Sequence, residues 1–225
     1  MSVHNDFKIY NGMIEHPSAM IISGPSGSGK TEFAINFLKN LEKLVDADID
    51  YIIWCYGQKT KQMEHVAEVF LDKIEFHEGL PNDFNTLMKQ DKKGIILIDD
   101  CQMEAIKSEK MVDLLTKQSH HNDCSVILIL QDIFHGSTIR KTIYRNAHYL
   151  VLFRTPLDNS IPFALANKIF PYKSKIFLDI YNAATKRAKY SYLFVSGRVS
   201  TPDEIRFRSD IFNPNFQRIY VPIMQ

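Results

Sequence analysis

The sequence has almost no net charge: Lys and Arg number 27 against 26 Asp and Glu, a formal balance of +1 over 225 residues. A chain with no excess of one sign is excluded as a stand-alone, histone-like binder of nucleic acid. Any contact with DNA must come from a local patch, a channel, or several copies that concentrate charge. Cysteine is scarce as well, with Cys55, Cys101 and Cys124 each in or beside an apolar run. Three scattered cysteines exclude a disulfide framework and read as small buried hydrophobes in a reducing compartment. No apolar run approaches the ~18 residues of a membrane span. The opening Met1-Ser2-Val3-His4-Asn5-Asp6 lacks the basic-then-apolar order of a signal peptide. Low-complexity tracts and internal repeats are missing too. The expectation is an intracellular protein that is not secreted and has no membrane partner, with a length suited to one domain that buries its own core.

What the sequence does have is a series of short, continuous apolar runs at residues 19–23, 51–56, 94–99, 125–131, 148–153 and 192–195. Continuous rather than alternating apolarity predicts strands covered on both faces, as in a parallel sheet between helix layers. Phe33, Ala34, Phe37, Leu38, Leu41 and Leu44 fall at helical spacing, as do Met111, Leu114, Leu115 and Gln118 more weakly. A further helix is expected over residues 173–186. Strand and helix alternate over most of the chain, which predicts a three-layer α/β fold with a mostly parallel central sheet. Residues 1–212 read as a single domain and residues 213–225, with Pro214 and Pro222, as an extended C-terminal tail that packs on the domain or on a neighbour.

Directly after the first run stands Gly24-Pro25-Ser26-Gly27-Ser28-Gly29-Lys30-Thr31, followed by the amphipathic helix. This is the full P-loop pattern, G-x-x-x-x-G-K-[ST], in its strand–loop–helix context. Glycines let the backbone N–H groups close around phosphate oxygens, and the helix adds its positive dipole end to them. In this pattern Lys30 reaches the β- and γ-phosphates of a nucleotide and the Thr31 hydroxyl ligates Mg²⁺.

The run at 94–99 ends in Asp99-Asp100. A buried strand ending in acids delivers them to the carboxyl edge of the sheet, where open α/β folds bind ligands. Asp99 is the expected Walker B acid holding Mg²⁺, and Asp100 the candidate base for an attacking water. Such a pair can also serve simply to cap the next helix. The run at 125–131 brings Gln131 to the same edge, where an amide can sense a γ-phosphate or position water, or merely end the strand. No N-K-x-D stretch for guanine is present. His120, His121, Cys124 and His135 lack the second spaced pair of a zinc site. Arg140, Lys141, Arg145 and Arg154 surround the fifth run, and one of them can act as an arginine finger in a neighbouring subunit. Lys186, Arg187 and Lys189, and the alternating Arg206 and Arg208, can meet DNA phosphates or form a solvated face.

Longer strings resemble a known family. They are Met20 through Thr31, Ile53-Trp54-Cys55-Tyr56-Gly57, Ile98-Asp99-Asp100 and Ser119-His120-His121. To these are added Val126 through His135 and Asn146-Ala147-His148-Tyr149-Leu150-Val151-Leu152-Phe153. Together, from about Phe7 to Phe212, they are similar to the DNA-packaging ATPases of Polinton/Maverick elements and of adintovirus-like or virophage-like viruses. Those enzymes are FtsK–HerA superfamily P-loop motors, with the poxvirus packaging ATPase a more distant cousin. The resemblance implies ATP hydrolysis with Mg²⁺, coupled to translocation of double-stranded DNA into a preformed capsid by a homo-oligomeric ring. It implies a capsid or portal protein as partner and a host nucleus or cytoplasmic virus factory as location. By position it assigns Lys30 and Thr31 to the triphosphate and Mg²⁺, Asp99 and Asp100 to the Walker B pair, and Gln131 to the end of the following strand. The wider superfamily favours Glu where this chain has Asp100, and relatives often carry Asn where it has Asp132. Arg140 is the candidate inter-subunit arginine. Two other readings remain open: a nucleotide-gated assembly or scaffold protein, and a P-loop kinase acting on a small molecule.

Overall fold

The computed structural model describes residues 12–101, 105, 108–131, 138–213 and 215–222, without the side chains of residues 118, 120 and 138–140. Phe7, Asp132, Ile133, Phe134 and His135 therefore lie outside the described residues, as do the side chains of His120 and Arg140.

The continuous apolar runs become the inner strands of a sheet: β1 (Ala19–Ser23), β2 (Tyr51–Tyr56), β4 (Gly94–Asp99), β5 (Cys124–Leu130) and β6 (Tyr149–Phe153). With β3 (Ile74–Glu78), β7 (Tyr192–Ser196), β8 (Phe207–Ser209) and β9 (Arg218–Ile219) they make a nine-stranded sheet in the order β3-β2-β4-β5-β1-β6-β7-β8-β9. Pairing is parallel from β3 through β6 and antiparallel from β6 through β9. The fold is thus the expected α/β architecture with a mostly parallel central sheet flanked by helices.

Side chains alternate across the sheet, so each strand feeds two apolar layers. Met20 and Ile22 of β1 pack with α1 (Lys30–Lys39), α2 (Leu41–Leu44) and α3 (Lys61–Phe70) on one face. Ala19 and Ile21 pack on the other face with α4 (Glu109–Asp113), α5 (Thr138–Arg145), α6 (Ser160–Ile169) and α7 (Ser174–Thr185). Helix α1 forms because Phe33, Ala34, Phe37 and Leu38 make one buried stripe. Glu32 in its first turn and Lys39 in its last complement the helix dipole. Each large side chain of that stripe contributes about 1.5–3 kcal/mol by leaving water.

Three details differ from the sequence reading. The helix expected through Leu44 divides at Asn40, whose side-chain amide turns back to donate to the Asn36 carbonyl (2.8 Å). Beyond Asp113 the chain continues as a π-helical stretch, Leu114–Gln118. The Arg206/Arg208 alternation is structural rather than a DNA-facing surface. Arg208 is 3% exposed, donates to the Gly12 carbonyl (2.7 Å) and lies 4.9 Å over the Phe194 ring. Arg206 donates to the carbonyls of Ser196, Arg198 and Thr201. Within residues 213–225, Arg218–Ile219 pair with β8, and the Tyr220 N–H donates to the Phe207 carbonyl (2.9 Å). Among the described residues no helix is long and apolar enough to cross a membrane.

Candidate functional site

Strand β1 lies between β5 and β6, and its carboxyl end opens into residues 24–31 before α1 begins. The loop follows a path that ordinary residues resist. Gly27 has φ +73°, and Gly29, which starts α1, has φ +101°. A β-carbon on Gly24 would stand 2.6 Å from Cβ of Phe153 and 2.8 Å from Oγ of Ser28, so glycine is required there by packing. The first-turn N–H groups of α1 have no carbonyl partners within the helix and are open to an anion.

Lys30 folds back over this loop, its Nζ donating to the carbonyls of Gly24 (2.8 Å) and Pro25 (2.9 Å). Burial pushes its ammonium below the ordinary lysine value, opposed by the charges of Asp99 and Asp100. Thr31 Oγ1 donates to Asp99 Oδ2 across 2.8 Å, joining the loop to the end of β4. Burial raises the Asp99 carboxyl above its ordinary range, against the hydrogen bond from Thr31; Asp100 raises it further, whereas Lys30 holds it down. A hydroxyl and a carboxylate at one point are hard oxygen donors, and this pair fits Mg²⁺. Asp100 follows at φ +57° with its side chain exposed.

These groups border one cleft of about 660 Å³, a size that suits a nucleotide. Ser26, Gly27, Gly29, Lys30, Thr31, Asp99, Asp100 and Gln131 all line it. Gly24, Pro25 and Ser28 form the underside of the loop: the first two supply carbonyls to Lys30, and the Ser28 hydroxyl is buried beneath. Arg140 belongs to α5, and its side chain lies outside the described residues.

The Trp54-Cys55-Tyr56-Gly57 string acquires a physical meaning. Trp54 and Tyr56 face the cleft, whereas Cys55, between them, points into the opposite core layer. Gly57 turns the chain away from the sheet beside Asp100. The Asn146-Ala147-His148-Tyr149 string works at the opposite edge. His148 Nδ1 accepts from the Ala19 N–H (2.9 Å), and the Tyr149 hydroxyl accepts from the Glu15 N–H (3.0 Å), pinning β6 to the start of β1.

Sequence reasoning missed Phe33, Tyr190, Tyr192 and Phe212 as cleft residues. They converge from distant parts of the chain, and an aromatic residue in an apolar run carries no signal separating a cleft wall from the core. The basic cluster at 186–189 is also depleted, because Arg187 makes a bidentate pair with Asp210 (2.7 and 2.9 Å). Among the described residues no three His, Cys, Asp or Glu side chains gather as a metal centre.

A mostly parallel sheet with a glycine-rich loop running from its central strand into a helix, and an acid-tipped strand two places along with β5 between, is the fold of P-loop NTPases. Comparison with solved structures agrees. The chain is similar to the genome packaging NTPase of Sulfolobus turreted icosahedral virus 2, solved in complex with ATP-gammaS: TM-score 0.51, 16% identity, 92% of this chain and 98% of that one. It is also similar to EssC (ATPases 2 and 3) from Geobacillus thermodenitrificans, with a TM-score of 0.53 and 13% identity. That match covers 91% of this chain but only 40% of the EssC chain. At these identities the likeness is one of fold. No protein-family model matches the chain, and no curated protein does.

Proposed function

We propose that this chain is an ATP-hydrolysing motor that packages double-stranded DNA into a capsid. The observation that carries the reading is the Thr31–Asp99 hydrogen bond over the glycine loop, which joins the two phosphate-handling elements at the mouth of a nucleotide-sized cleft. Support for the motor comes from the fold, which is shared over nearly the whole length of a viral genome packaging NTPase.

In this reading residues 24–31 cradle the triphosphate. Lys30 leaves the Gly24 and Pro25 carbonyls to neutralise the β- and γ-phosphates, and Thr31 and Asp99 hold Mg²⁺. When bound, Mg²⁺ supplies charge neutralisation on the β- and γ-phosphate oxygens. Asp100 accepts the proton of the attacking water as its oxygen bonds to the γ-phosphorus and ADP leaves. Gln131 orients that water. Arg140 is supplied to the nucleotide of a neighbouring copy in a homo-oligomeric ring, which docks on a capsid or portal protein. DNA is gripped by its backbone, because base-specific contacts would stall a translocating motor. The near-neutral chain gives each subunit little affinity for DNA. Of the basic cluster Lys186, Arg187 and Lys189, the exposed Lys186 and Lys189 act when several copies face one duplex, Arg187 being paired with Asp210.

The test is the ATPase rate with and without long duplex DNA. Strong stimulation by duplex supports the motor. Phosphate transfer to a small molecule would replace it with a kinase, and nucleotide binding with negligible turnover would replace it with a nucleotide-gated scaffold.

A further inference from the structure

The phosphate-handling groups account for only part of the cleft lining. A flank beside the loop is aromatic, lined by Tyr190, Tyr192 and Phe212, with Phe33 against them. We infer that this wall seats the nucleobase and that Tyr190 is the platform on which the base stacks. The inference rests on the proposed nucleotide-binding role of residues 24–31 and names the base subsite of that same cleft.

Continuity with the loop is the first argument. Cδ1 of the Tyr190 ring lies 3.2 Å from where a β-carbon of Gly29 would stand, so the ring rests on the phosphate loop itself. A nucleotide whose phosphates occupy the loop must carry its sugar and base out along the cleft, and this wall borders the way. The second argument is the state of Tyr190. It is 54% exposed, and its backbone sits at φ +66°, a left-handed conformation that a bulky residue adopts only at a cost. Burial does not explain why an aromatic residue is held there; presentation of its ring to the cleft does. The Lys189 ammonium, 4.8 Å from the ring centroid, helps to hold it.

The third argument is that the wall behind is fixed. The Tyr192 hydroxyl accepts from the Ile211 N–H (3.1 Å), and Phe33 packs on the rings of Tyr192 (4.8 Å, edge-on) and Phe212 (4.9 Å). A rigid aromatic surface beside a phosphate site suits a flat, weakly hydrated heterocycle, which gains from stacking without losing side-chain freedom.

Binding by titration calorimetry of two ligands, ATP and inorganic tripolyphosphate, to the full chain and to Tyr190→Phe and Tyr190→Gly separates base from phosphate. Glycine adopts φ +66° freely, so that variant removes the ring without straining the turn. Removing a stacking ring is expected to weaken ATP about tenfold or more, while Tyr190→Phe stays within about twofold of the parent. Tripolyphosphate binding should be the same in all three proteins. Equal weakening of both ligands in Tyr190→Gly would make Tyr190 a support for the loop and overturn the inference, as would unchanged ATP affinity. A parent chain that binds neither ligand overturns the phosphate-loop reading and this inference with it. A parent that binds both, alongside an unaffected Tyr190→Gly, overturns this inference alone.

Discussion

A β-carbon on Gly57 would stand 2.3 Å from the carbonyl oxygen of Asp100, so the turn leaving β2 touches the end of β4 backbone to backbone. The Gly57 N–H also donates to the Asp99 carbonyl (3.1 Å), and Tyr56 is in register with Asp99. The position of both acids is therefore set by a neighbouring strand as well as by their own. Gly57→Ala is expected to push the two segments apart. An extra methyl in a tight contact costs about 1–3 kcal/mol, to be read from urea unfolding. Displacing Asp100 should also slow ATP hydrolysis by about a hundredfold, since small misplacements of a reacting group have large effects. Wild-type turnover in this variant would remove Asp100 from the catalytic set.

Lys30→Ala should abolish hydrolysis, because the charge that neutralises the β- and γ-phosphates is lost. Arg140→Ala should keep nucleotide affinity and lose turnover. Mixing the two variants should restore part of the activity, since the proposed ring would then contain sites with an intact lysine and an intact neighbouring arginine. Steady-state ATPase assays on each variant and on the mixture check this. Normal turnover in Arg140→Ala takes Arg140 out of the mechanism.

Asp99 places a carboxyl where burial opposes its charge. Its folded pKa lies above the ordinary 3.8, so the stability it contributes is fully present below that value and is lost as pH rises through the raised one. Asp99→Asn keeps an oxygen to accept from Thr31 and carries no charge. The variant should gain stability over the parent as pH rises from about 4 to about 8, by urea midpoints, while losing Mg²⁺-dependent hydrolysis. A stability difference that does not change with pH would show that the carboxylate is not under this strain.

Most of the inner sheet was legible because strands buried on both faces read as unbroken apolar runs. The glycine loop was legible because phosphate binding requires glycines at fixed spacing. Strand β3 was not: Ile74–Glu78 is an edge strand with two glutamates and a histidine, and only Ile74 is buried. Strand β8 was hidden because Arg208 looks solvated in sequence, whereas the Gly12 carbonyl and the Phe194 ring accept it in the interior. The acids at the end of β4 were found from their place after a buried run. The aromatic wall of Tyr190, Tyr192 and Phe212 was not, because its meaning depends on Phe33 and Gly29 more than 150 positions away.

His16 gives a stability switch far from the cleft. Its side chain is 1% exposed, with Nδ1 2.7 Å from Ser125 Oγ and Nε2 3.0 Å from the Asp123 carbonyl. A neutral ring satisfies both contacts, donating from Nε2 and accepting the serine hydroxyl at Nδ1, and Ser125 Oγ in turn accepts the Ser18 N–H (3.0 Å). Burial lowers its pKa below the ordinary 6.5, although the carbonyl and charge of Asp123 pull it back up. The unfolded chain therefore takes up the proton first. The contribution of His16 is full above pH 6.5 and is lost as pH falls from there towards the folded value. Urea unfolding should show stability declining across this window in the parent and a smaller decline in His16→Gln, which is less stable throughout but cannot protonate. Equal slopes in the two proteins would mean that the folded and unfolded chains hold the His16 proton equally well, and would remove His16 as a switch.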